Sequence, residues 1–79
     1  MMLLEVTVLS PREVVFEGKA NSVVVPGEQG VFEVLPFHKR IISRLISGKL
    51  LIDGKVFPLR RGIVKANKNK VTIIVEEIS

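Results

Sequence analysis

Cysteine, tryptophan and tyrosine are absent from these 79 residues, and histidine occurs once, at His38. Without thiols there is no disulfide and no thiolate metal centre, and a lone imidazole cannot build a multi-histidine one. No apolar run approaches the ~20 residues that a helix needs to cross a bilayer. The start, Met1-Met2-Leu3-Leu4-Glu5, has no basic flank and reaches an acid at once, so it does not read as a signal peptide. No repeat, low-complexity tract, interdomain linker or convincing helix is visible. The chain length sets a single domain, residues 1–79. A chain this short buries only about 60–65% of its unfolded surface, and it has no covalent staple. Its stability must come from a compact apolar core, a partner, or both.

What is present is apolar and basic. The apolar fraction of 47% is too high for a disordered chain. The formal net charge is +4, and only Arg12 and Lys19 among the basic residues precede residue 39. Such a bias suits nucleic acid, an acidic protein partner, or simply a solvated surface.

The organising stretch is residues 22–38. Two apolar runs, 23–25 and 31–35, flank Pro26-Gly27-Glu28-Gln29-Gly30, and Pro36 closes the second run. Short β-branched runs around a proline and two glycines read as a hairpin with a polar tip. Before it, Leu4, Val6 and Val8 alternate with Glu5 and Thr7 in a half-buried strand. Ser10-Pro11-Arg12-Glu13 reads as a turn, Val14-Val15-Phe16 as a strand, and Gly18 as its end.

Residues 41–46 fit either a helical spacing or a bent strand; their β-branched content and shortness favour strand. Asp53-Gly54 between residues 50–52 and 55–57 is a two-residue hairpin turn, and Pro58 implies that its second strand lies at an edge or ends early. Arg60-Arg61-Gly62 reads as a bend, Ile63-Val64 as a short strand, Asn67-Lys68-Asn69 as a turn and residues 71–75 as the last strand. The total is about eight or nine strands of about five residues, an all-β sandwich or barrel.

Candidates for chemistry are few. His38 has Ser43 and Ser47 near it in sequence, but no motif joins them into a catalytic set. The carboxylates are scattered over strands and turns, and Glu76-Glu77 point apart if the strand alternation holds. Gly27-Glu28-Gln29-Gly30 is too short for a phosphate loop and lacks its lysine and helix. Exposed Glu28 and Gln29 remain candidates for contact with a partner. No cofactor or metal is implied. A basic β domain could also bind single-stranded nucleic acid, the alternative reading. Phe16, Phe32 and Phe57 lie in core-like runs, however, which leaves only Phe37 as a stacking platform.

Several motifs occur together in order: Val14-Val15-Phe16-Glu17-Gly18, Val25-Pro26-Gly27, Gly30, Leu35-Pro36-Phe37-His38, the hairpin between Gly48 and Asp53-Gly54, and Asn69-Lys70-Val71-Thr72-Ile73-Ile74. In order and spacing they resemble the epsilon subunit of bacterial F-type ATP synthase along nearly the whole chain. The resemblance implies a flattened β-sandwich of about ten short strands. It further implies a non-catalytic subunit of the central rotor, which docks the gamma subunit onto the membrane c-ring and helps couple ion-driven rotation to ATP synthesis. Such a subunit is peripheral to the cytoplasmic face of the bacterial plasma membrane, and needs neither a homo-oligomer nor nucleic acid.

The chain departs from the family at His38-Lys39-Arg40, where His-Ala-Pro is usual, at Glu33 for glycine, at Val31 for an acid, and at Arg61-Gly62 for Gly-Gly. Many members also carry two C-terminal helices; with the sequence ending at Ser79, neither helical inhibition nor nucleotide binding is expected of it. Carried over by position, Gly27, Glu28, Gln29, Gly30 and Val31 would face the c-ring, and His38, Lys39, Arg40, Ile42, Ser43 and Arg44 would face gamma.

Overall fold

Alternation of β-branched side chains makes strands throughout the computed structural model, which describes residues 3–37 and 39–77, with only the backbone of Glu77. His38 therefore lies outside the described residues. Nine strands follow one another: β1 (Leu4–Leu9), β2 (Val14–Ala20), β3 (Val23–Gly27), β4 (Gly30–Val34), β5 (Ile41–Leu45), β6 (Gly48–Ile52), β7 (Lys55–Leu59), β8 (Arg61–Asn67) and β9 (Lys70–Glu77). No helix occurs among the described residues. Nine is the upper bound of the direct reading, and residues 41–45 of the ambiguous stretch 41–46 resolve as strand β5.

The strands form one ladder in the order β2-β1-β9-β8-β5-β3-β6-β7, with β4 on the far side of β3. The ladder folds back so that its two ends meet. Phe16 of β2 stands edge-on to Phe57 of β7, with ring centroids 5.7 Å apart and planes at 67°. The shortest extent, 20 Å, suits two layers with about 10 Å between sheets. The core between them is wholly apolar: Leu4, Val6 and Val8 of β1 meet Val71, Ile73 and Val75 of β9, and Val23, Val25, Leu50 and Leu59 close it from the other layer.

The first and last strands run parallel, with Val6 opposite Val71 and Val8 opposite Ile73. β9 is thus hydrogen-bonded on both sides, by β1 and by β8. The Asp53-Gly54 turn has positive φ at both residues, 48° and 82°, as a two-residue hairpin requires. β7, with Pro58, ends the ladder as an edge strand.

Several boundaries differ from the sequence reading. β2 runs through Gly18 to Ala20 rather than stopping at the glycine. Gly18 pairs with Val6, and a Cβ there would sit 3.3 Å from the Phe16 ring, so the glycine serves close approach and not chain reversal. Pro26 and Gly27 belong to β3 and Gly30 to β4, which leaves Glu28-Gln29 as the turn. Pro26 fits inside a strand because its carbonyl makes the cross-strand bond, accepting the Ile46 N–H at 2.9 Å. β8 is seven residues long, not two, and the bend at 60–62 reduces to Arg60 plus an irregular register between Arg61 and Gly62.

Candidate docking surface

The β3–β4 hairpin is fixed to the layer of β5 at one place. Gly27 lies opposite Leu45. The Glu28 N–H donates to the Arg44 carbonyl at 3.1 Å, beside the Ile46-to-Pro26 bond. Gly27 lets the hairpin close on itself: a Cβ on it would fall 2.7 Å from the Phe32 ring and 2.8 Å from the Gly30 carbonyl oxygen, both of β4. Phe32 in turn packs against the core. The tip is therefore seated over β5 by backbone bonds and one ring.

Two open clefts meet at Glu28 and Arg44. One, about 580 Å³, lies between Glu28, Gln29, Gly30, Val31 and Phe32 of the hairpin and Ile42, Ser43 and Arg44 of β5. The other, about 590 Å³, continues past Ile46 to Arg60, Arg61, Ile63 and Glu76. Val31 and Ile42 stand at the first cleft with 72% and 68% of their surface exposed. Isolated exposed aliphatics are ordinary; two at one concavity make the cleft a candidate interaction surface. The Ser43 hydroxyl donates to the Arg44 carbonyl at 3.1 Å, so it is already used locally.

Parts of the two sets of residues expected from the sequence to face different partners, Glu28 to Val31 and Ile42 to Arg44, thus line one cleft. Glu28, Gln29, Gly30 and Val31 are exposed there with Ile42 and Arg44, while Gly27 is buried and contributes through the tip it shapes. Lys39 and Arg40 are exposed ahead of β5 and do not line the cleft. Sequence reasoning missed Ile46, Arg60, Arg61, Ile63 and Glu76. Their signal is the β5–β8 register, which sets Arg44 opposite Ile63 and exists only once the strands pair. It also missed Asn69, whose Oδ1 accepts the Phe37 N–H at 2.9 Å.

Among the described residues no polar or charged side chain is buried, and no three His, Cys, Asp or Glu gather closely enough to hold a metal. Phe16, Phe32 and Phe57 pack against the core. The surface offers an apolar pair, a carboxylate, guanidinium groups and backbone edges, which are the means of protein docking. Fold and surface together define a small β-sandwich domain with a candidate docking surface.

The family described as ATP synthase, Delta/Epsilon chain, beta-sandwich domain matches residues 3–79, and the chain belongs to it. An ATP synthase epsilon chain of Leptospira interrogans is 32% identical over 77 residues, covering 92% of this chain and 61% of the relative. That of Chlorobaculum tepidum is 31% identical over 77 residues, covering 91% and 88%. The chain therefore spans somewhat under two thirds of the Leptospira relative and most of the Chlorobaculum one. The fold recurs in a Euglena gracilis mitochondrial ATP synthase structure comprising OSCP, F1 and c-ring, with a TM-score of 0.87 at 19% identity over 98% of this chain and 52% of that one. It recurs also in the central stalk and c-ring of the Tetrahymena thermophila mitochondrial enzyme, with a TM-score of 0.81 at 15% identity over 96% and 65%.

Proposed function

We propose that this domain is a non-catalytic central-stalk subunit of an F-type ATP synthase. It docks the gamma subunit onto the c-ring and helps couple ion-driven rotation to ATP synthesis. The observation that carries the reading is the family match over residues 3–79. The continuous surface of hairpin tip and β5 supports it, since a linker between two rotor parts needs adjoining contacts. In this reading the tip, Glu28 to Val31, meets the c-ring and Ile42 to Arg44 meet gamma. The domain is held at the membrane peripherally, through the complex, on the face that carries the catalytic head; in a bacterium that is the cytoplasmic face.

Magnitudes assign the roles. Burying an exposed aliphatic side chain contributes about 1.5–3 kcal/mol. A rim contact of Glu28 with a cation contributes about 0–1 kcal/mol. Val31 and Ile42 therefore supply affinity, and Glu28 supplies register and selectivity. The test is co-purification with the gamma subunit of the same organism through size exclusion at moderate salt. A stable one-to-one complex is expected. No complex, with retention on single-stranded nucleic acid instead, would reject the rotor reading.

A further inference from the structure

We infer that Phe37 is a binding anchor, held in a strained backbone conformation so that its ring projects into an apolar notch rimmed by carboxylates on the docking partner. The inference rests on the rotor reading and adds to it a residue outside both assigned contact sets. Phe37 has φ = 69°, in the left-handed region, where a bulky side chain is disfavoured. Its side chain is 74% exposed, so no intramolecular packing compensates the strain. Backbone strain that packing does not reward points to use of the side chain elsewhere.

The position is clamped. Asn69 Oδ1 accepts the Phe37 N–H at 2.9 Å, and the Asn69 carbonyl accepts the Glu5 N–H at 2.7 Å, which joins the loop to the β8–β9 turn and the start of β1. Leu35, also exposed, widens the apolar patch. The charge beside it selects the occupant. Arg40 follows in sequence, and Lys68 and Lys70 flank Asn69, all exposed; the acid on these elements is Glu5, opposite Lys70. An aromatic knob held by elements that carry exposed cations is complementary to an apolar notch with an acidic rim.

The test measures binding to ATP synthase stripped of this subunit, alongside the melting temperature of each variant. Phe37→Gly keeps the backbone bond to Asn69 and relieves the strain. Its melting temperature should equal or exceed the wild type, while its Kd rises about tenfold or more. Phe37→Leu should keep the strain and lose part of the affinity. Arg40→Glu with Lys68→Glu should weaken binding and flatten its dependence on salt. Wild-type affinity in Phe37→Gly overturns the anchor while leaving the rotor reading intact. Failure of the wild-type chain to bind the stripped enzyme rejects both. Phe37-dependent binding to phosphatidylglycerol vesicles, with enzyme binding unaffected by the substitution, would overturn the anchor in favour of a lipid surface.

Discussion

At Asp53 one carboxylate joins two turns. Its Oδ1 accepts the N–H groups of Asn21 and Ser22, each at 3.0 Å, and its own N–H donates to the Ser22 carbonyl at 3.1 Å. The residue that permits the β6–β7 turn thus also holds the β2–β3 connection, where the Ser22 hydroxyl donates to Glu33 of β4. Asp53→Ala removes the charge-assisted bonds and places alanine at φ = 48°, so it should cost about 1–3 kcal/mol in a thermal or urea melt. Asp53→Asn should cost less, because asparagine tolerates that φ and retains an acceptor. Equal midpoints for both variants would mean that the carboxylate bonds add nothing. Gly27 governs the site more directly. Gly27→Ala must displace the Phe32 ring or the Gly30 carbonyl, an overpacking change expected to cost about 1–3 kcal/mol and to loosen the tip. If the melt is unchanged, the hairpin is not seated as described.

Among the strands, β9 has partners on both sides, while among the described residues β2 is bonded only to β1, β4 only to β3 and β7 only to β6. Amide exchange should therefore be slowest in β9, with Val71 and Ile73 near the global limit, and fastest in β2, β4 and β7. Uniform exchange across these strands would contradict the ladder order. Much of the element list was legible in the residues: the alternation of Leu4, Val6 and Val8, the Asp53-Gly54 turn and the edge position marked by Pro58 are local signals. The parallel pairing of β1 with β9 was not, because a parallel pair has no short turn to announce it. The tip of the site could be read from Pro26 through Gly30. Its neighbour, the Arg61 and Ile63 side of the second cleft, could not, since it depends on the register of β5 against β8. Gly18 misled for a related reason: a glycine that breaks a strand and one that admits the Phe16 ring look alike until the ring is placed.

At the scale of the molecule, a thin apolar core carries a rigid surface on which the tip of one layer overlies β5 of the other. The fold leaves several exposed aliphatics, but among the described residues only Val31 and Ile42, in the first cleft, and Ile46, in the second, share a concavity with Glu28 and Arg44. Val56, half exposed on the edge strand β7, pairs with Leu51 and lines neither cleft. Glu28→Lys should change affinity by no more than about 1 kcal/mol, read as a Kd against the stripped enzyme. A larger loss would move the main affinity from the apolar pair to the tip carboxylate. The most direct measurement is the Kd of Ile42→Asp for ATP synthase stripped of this subunit, set beside Val56→Asp. The account predicts at least about a tenfold loss for Ile42→Asp and wild-type affinity for Val56→Asp, with both folded. Equal affinities for the two, or a loss confined to Val56→Asp, would contradict docking through the surface between the hairpin tip and β5.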